Sequence, residues 1–173
     1  MAVSAARTNP VDSGEFVFSR VINAPRQRVW RAFTEADQLA HWWGPKGFKL
    51  HVAKLELRPG GIFLYRMRSA GGQEMWGRFI YREIATPERL VFVLSFSDEQ
   101  GGITRAPMSE TWPLQMFNIV TFAERDGRTT VTLRGRPVNA TDEERVTYVA
   151  GFSSMQAGFG ASFDELAAFL ARA

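Results

Sequence analysis

Residues 63–81, FLYRMRSAGGQEMWGRFIY, hold two runs of alternating residues on either side of a glycine pair. Successive side chains of a strand point to opposite faces, so the turn between two such runs decides which residues meet. With Ala70-Gly71-Gly72 as a three-residue loop, Arg68 faces Glu74, Arg66 faces Trp76 and Leu64 faces Arg78. The reverse face then pairs Met67 with Met75, Tyr65 with Gly77 and Phe63 with Phe79. One face carries a salt pair and a cation–π pair of Arg66 with Trp76, while the other is aromatic, thioether and glycine. A slip of one residue would mix the two faces, so this register is the expected one.

The same logic runs outward. The connection Ala85-Thr86-Pro87-Glu88 sets Tyr81 against Phe92, Phe79 against Leu94 and Gly77 against Phe96. Asp126-Gly127 is a hairpin turn that pairs Phe122 with Val131, Val120 with Leu133 and, on the reverse, Thr121 with Thr132. Seven strands are expected, at about 15–23, 48–57, 61–69, 73–84, 89–97, 112–125 and 128–138. Hairpins that follow one another without helices between them make an antiparallel sheet with one buried and one wetter face. Residues 97–110, SDEQGGITRAPMSE, have neither periodicity nor an apolar face, and a connection this long is uncommon and often either mobile or functional.

Three helices complete an α+β chain. Pro25 suits a first turn, and Val29, Ala32, Phe33 and Ala36 follow at helical spacing. Thr34-Glu35-Ala36-Asp37 resembles a capping box, so a second short helix is expected to run to about Trp43, where Gly44-Pro45 stops it. Trp43 would continue the buried stripe through Ala36 and Ala40, and Trp42, about 100° around the helix, would cap a cavity mouth or lie on the surface. A structural role is expected for the pair. The third helix opens at the capping box Thr141-Asp142-Glu143-Glu144 and runs for about 30 residues, with Val149, Phe152, Gln156, Phe159, Phe163, Leu166 and Leu170 as its apolar stripe. The simplest burial lays this helix across the apolar face of the sheet.

Composition narrows the function. There is no cysteine, so disulfides and thiolate metal sites are excluded, and only His41 and His51 offer imidazoles, without metal-ligand spacing to acids. No apolar run reaches the roughly 18 residues of a membrane span, and residues 1–14 read as a flexible tail before one domain at 15–173. A cytoplasmic location is expected. The net charge is +3, but the arginines alternate with acids and apolar residues instead of clustering, which argues against nucleic acid. No cofactor is implied, since no glycine-rich loop follows a strand and opens a helix.

INAPRQRVWRAFTEADQLAHWWGP, LRPGG, GRFIYREIATPERLVF, VTFAERDGRTTVTL and MQAGFGASFDELAAFLA occur in this order, and together they carry a resemblance across residues 15 to 172. The chain resembles the SRPBCC (START/Bet v-like) superfamily, in the branch of the activator-of-Hsp-ATPase homologues. That resemblance implies a helix-grip fold, a curved antiparallel sheet wrapped around the C-terminal helix and enclosing a largely apolar cavity. It implies no single activity: members bind lipids or hydrophobic metabolites, some cyclise polyketides and others assist a chaperone. The longer connection around GGITRAPMSETW departs from the family pattern at the cavity mouth.

Strand parity then marks a candidate ligand-binding wall of Phe63, Tyr65, Phe79, Tyr81 and Phe92, with Met67, Met116 and Phe159 beside it. Asn118 and Gln156 interrupt otherwise apolar patterns, and buried amides need partners, either within the protein or on a ligand. Catalytic signals are weak. Gly151-Phe152-Ser153-Ser154-Met155 lacks the last glycine and the preceding strand of a nucleophile elbow, and Glu56, Glu74, Glu83 and Glu110 read as surface carboxylates. Tyr65 and Tyr81 point inward and are the better acid–base candidates, though core tyrosines are commoner. A hydrophobic small-molecule binder, monomeric or weakly dimeric, is the favoured expectation. A cyclase- or hydrolase-type enzyme and a chaperone-activator-like partner protein are the alternatives.

Overall fold

The computed structural model describes residues 14–172, so the expected tail, Gly14 apart, lies outside the described residues. In chain order the elements are β1 (Phe16–Ile22), α1 (Arg26–Thr34), α2 (Ala36–Leu39), β2 (Phe48–Leu55), β3 (Ile62–Ser69), β4 (Glu74–Ala85), β5 (Arg89–Ser97), β6 (Met116–Arg125), β7 (Arg128–Pro137), α3 (Asp142–Ala150) and α4 (Phe152–Arg172). The strands form one antiparallel sheet in the order β1-β7-β6-β5-β4-β3-β2. Consecutive hairpins build a meander from β2 to β7, and β1 closes against β7. Register shifts at Ala53 and Arg82 bend the strands they interrupt. This is the helix-grip fold, α+β, with a curved seven-stranded sheet gripping the C-terminal helix.

The registers argued from the turns are present. Arg68 pairs with Glu74, Tyr65 with Gly77 and Phe63 with Phe79, then Tyr81 with Phe92 and Phe79 with Leu94, and Phe122 with Val131. One detail of the outer face differs. Arg66 and Arg68 approach Glu74 together, at 3.8 and 3.7 Å, so the Arg66 cation is drawn to a carboxylate and not to the Trp76 ring. Two half-exposed pairs of this kind are each worth at most about 1 kcal/mol. The LRPGG motif also finds its place: Gly60 donates to the Tyr81 carbonyl at 2.8 Å and Tyr81 donates to Gly61 at 3.0 Å.

The helices depart further from expectation. Thr34 does not cap α2; its hydroxyl turns back and donates to the Trp30 carbonyl at 2.8 Å. Nor does α2 reach Trp43: it stops at Leu39 and the chain turns. Beyond a helix end the 100° step no longer applies, so the assignments of the two tryptophans exchange. Ala36 and Ala40 are exposed, Leu39 and Trp42 are buried, and Trp43 is half-buried. Trp42 donates its Nε1–H to the Ala32 carbonyl at 2.8 Å, satisfying one of the last carbonyls of α1, which has no partner inside the helix. Replacing Trp42 by phenylalanine keeps most of the buried ring but strips that bond. It should cost about 1–2 kcal/mol in chemical denaturation, and an unchanged midpoint would show the bond to be dispensable.

At the other end, the helix expected as one piece is two, divided at Gly151. The capping box is present as predicted, with Thr141 Oγ1 accepting from Glu144 N and Glu144 accepting from Thr141 N. The two halves of α4 have different surroundings. Its C-terminal half buries Ser162, Phe163, Leu166 and Leu170, and Phe163 meets Phe18 at 4.9 Å and Trp42 at 5.8 Å. Its N-terminal half packs on β1, where Phe152 and Phe159 meet Phe16 at 5.5 and 5.7 Å, and Tyr148 of α3 lies against Gly135 of β7, so the cavity opens between these helices and strands β3 to β6.

Candidate functional site

A cavity of about 640 Å³ lies between the sheet and the α3–α4 segment. Trp43 and Tyr65 form part of its wall toward the core, joined by Met67 of β3. Leu94 and Phe96 of β5 and Met116 and Asn118 of β6 make the sheet side. Tyr148 of α3 and Met155, Gly158 and Phe159 of α4 make the helix side. The wall is held by identifiable bonds. Ser162 donates to the Gly44 carbonyl at 2.8 Å and ties the turn after Trp43 to α4. Gly44, at φ +107, occupies backbone space that favours glycine, which explains why this turn follows the tryptophan pair.

Close approach explains two further glycines. The Tyr65 ring lies over Gly77, its partner in the register, where any Cβ would overlap the phenol. The Trp112 ring approaches Gly151 so closely that a Cβ would sit 2.9 Å from it. The break between α3 and α4 therefore coincides with the place where a side chain from the long connection docks.

That connection, residues 98–115, does two jobs. Its first part returns over the outer face, where Ser97 bridges Ile103 and Arg78 donates to the Gly101 carbonyl at 2.6 Å. Its second part reaches the helices: Arg105 Nη1 lies 2.8 Å from Glu144 Oε1, Thr111 and Thr147 hydroxyls lie 2.8 Å apart, and Trp112 meets the Tyr148 ring at 5.4 Å. The Arg105 guanidinium holds the Glu144 carboxyl below its usual range. Met108, 67% exposed, stands at the rim of the cavity, and Trp112 is part of its lining.

Of the ten candidate site residues, Tyr65, Met67, Met116, Asn118 and Phe159 line this cavity. Phe63, Phe79, Tyr81 and Phe92 do not; they belong to the packed core behind Trp43, where Phe79 stacks on Phe92 at 4.0 Å and meets Trp43 at 5.3 Å. Parity had placed them on the correct face, but depth along that face separates core from cavity. Gln156 is a correction: it is exposed, because the inward face of this segment runs through Tyr148, Met155 and Phe159 and not through Val149 and Gln156. Gln156 sits at the edge of a stripe whose centre in α4 runs through Met155, Phe159, Ser162 and Leu166. Trp43, Trp112, Met108, Tyr148 and Met155 went unnoticed as lining residues. For Tyr148 and Met155 the signal was available, since they share a helical face with Phe159 at steps of seven and four.

The lining is aromatic and thioether with a few uncharged polar groups, among them Ser95, Asn118 and Tyr148. No aspartate, glutamate, lysine, arginine or histidine lines the cavity among the described residues. Burial pushes the Tyr65 phenol up to about 12, with the neighbouring Trp43 indole opposing it. Burial likewise raises Tyr148 and Tyr81, and the Tyr81 hydroxyl is buried without a partner. These phenols stay protonated near neutrality and act as hydrogen-bond donors and acceptors. Among the described residues, no cluster of acids and histidines is placed to hold a metal ion, and no helix is long and apolar enough to cross a membrane.

No curated protein matches the chain. Solved structures do. A crystallised Mycobacterium smegmatis protein shares 26% identity over 92% of each chain, with a TM-score of 0.74. A solution structure from Arthrobacter aurescens shares 25% identity over 95% of this chain and 90% of its own, at 0.78. A Chromobacterium violaceum protein, 24% identical over 90% of this chain and 96% of its own at 0.66, shares the fold. The family model described as activator of Hsp90 ATPase homolog 1-like protein matches residues 23–171, from the strand β1 exit through all but the last residue of α4. A match over that span, on a helix-grip sheet with the WWGP turn bonded to its C-terminal helix, places this chain in the activator of Hsp90 ATPase homolog 1-like family.

Proposed function

We propose that the protein binds an apolar small molecule in the cavity between the sheet and α3–α4. The observation that carries this is the volume, about 640 Å³, inside a wall of aromatic and thioether side chains. It falls within the roughly 300–1,000 Å³ of small-molecule sites, and a few polar groups in an apolar wall are their usual composition. The family supports the same reading. A cytoplasmic protein, monomeric or weakly dimeric and without nucleic-acid partners, accords with it. Binding without chemistry is preferred to a cyclase- or hydrolase-type activity, because the lining offers phenols raised by burial and no carboxylate or imidazole to serve as base.

The test uses N-phenyl-1-naphthylamine, a neutral apolar fluorophore. Trp43 and Trp112 stand in the wall, so binding should quench tryptophan emission as probe fluorescence rises, saturating at one equivalent with a micromolar Kd. Native mass spectrometry of freshly purified protein should show a retained molecule of a few hundred daltons. A flat titration to the solubility limit of the probe would remove the proposal.

A further inference from the structure

We infer that the cavity selects an uncharged ligand bearing a hydroxyl group that bonds to both Asn118 and Tyr148. This specificity rests on the binding reading just given. Its first support is the absence of formal charge from the lining among the described residues. An ionised ligand would give up its hydration there without a counter-charge, and that loss is large in an apolar wall.

The second support is the placement of the polar groups. Asn118 is 5% exposed, on an otherwise apolar strand face. Its Nδ2 donates to the Met116 carbonyl at 3.0 Å, which orients the amide and leaves Oδ1 as the acceptor of a residue that lines the cavity. Gly135 is the register partner of Asn118 on β7. A Cβ at Gly135 would lie 2.7 Å from Asn118 Oδ1 and 2.8 Å from the Tyr148 hydroxyl. Two oxygens from different elements thus come together in the space that a side chain on β7 would otherwise fill, and both belong to residues that line the cavity. A ligand hydroxyl donates to Asn118 Oδ1 and accepts from the Tyr148 O–H, satisfying both. A ketone or ether accepts from Tyr148 alone and leaves the amide oxygen unpaired, and a carboxylate adds a buried charge.

Three probes of one shape separate these cases: 2-naphthol, 2-methoxynaphthalene and 2-naphthoate, titrated near neutral pH against the wild-type chain. The expected order is 2-naphthol first, the methoxy compound about threefold or more weaker, and the naphthoate at least about tenfold weaker. In Asn118→Leu the margin of 2-naphthol over 2-methoxynaphthalene should vanish while the methoxy compound still binds; in Tyr148→Phe both compounds lose the bond from the phenol, so both should weaken about threefold or more and the margin should remain. Tyr148→Phe removes one oxygen only, so it reports even if the leucine variant folds poorly. Naphthoate binding as tightly as naphthol overturns the specificity, as does a naphthol margin retained in Asn118→Leu or an unchanged affinity for both neutral probes in Tyr148→Phe, and these results leave cavity binding intact. If none of the three binds the wild type, the binding reading itself fails and takes the specificity with it.

Discussion

Replacing Phe79 by alanine should cost about 3–5 kcal/mol, the range for removing a buried phenylalanine from a packed core. Phe79 is buried and lies amid aromatic rings: Phe92 stacked at 4.0 Å, Phe63 edge-on at 5.0 Å, Trp43 at 5.3 Å and Tyr65 at 5.9 Å. Losing the ring removes its transfer free energy and leaves a void that β4, hydrogen-bonded on both sides, cannot collapse to fill. For a chain of this length the thermal midpoint should fall by roughly 10 °C. The comparison variant is Met116→Ala, on the cavity wall, where the neighbouring space is already open and the cavity cost is correspondingly smaller. Equal losses at the two sites would contradict the boundary drawn at Trp43 between core and cavity.

The Phe79–Tyr65 pair also shows how far a sequence carries this structure. Both residues have inward parity, and both were paired correctly from the Ala70-Gly71-Gly72 turn. Strand geometry repeats every two residues, so a turn propagates its register over a whole hairpin. Period two says which face a residue occupies; it says nothing of how near the helix comes to that face. That distance is set by elements far away in sequence, chiefly by where α3 and α4 rest on β7 and β1. Hence Tyr65 lines the cavity and Phe79 does not.

Helical phase is less forgiving. An α-helix advances about 100° per residue, so one break or one misplaced end rotates every later assignment. Trp42 and Trp43 exchanged roles because α2 ends at Leu39, and Gln156 fell outside because the inward face of α4 is centred on Met155, Phe159, Ser162 and Leu166, which leaves Gln156 at its edge. From Phe159 onward, within one unbroken helix, the expected stripe is correct. Residues 97–115 were illegible for a different reason. Met108 sits in irregular backbone without a period to read, and Trp112, expected to open the strand at 112–125, precedes it because β6 begins at Met116; its contact with Tyr148 of α3 stands beside an ion pair and a hydroxyl pair formed across the fold.

Gly158 offers the sharpest separation between a cavity that binds and one that merely exists. It shares a helical face with Met155 and Ser162, lines the cavity, and has no atom within 4 Å of the position its Cβ would take. Glycine in a helix interior is disfavoured against alanine by about 1 kcal/mol. Gly158→Ala should therefore raise stability by about that amount and leave affinity for N-phenyl-1-naphthylamine nearly unchanged, since one methyl group enters open space. Gly158→Trp places an indole in the same space. The helix still gains a few tenths of a kcal/mol from losing glycine, but the indole occupies volume the ligand needs. Affinity should fall about a hundredfold, roughly 2.7 kcal/mol. Binding and folding thus move in opposite directions in one variant, which a general loss of structure cannot produce. Probe binding to Gly158→Trp at wild-type affinity would place the ligand elsewhere on the molecule, whatever the cavity's volume.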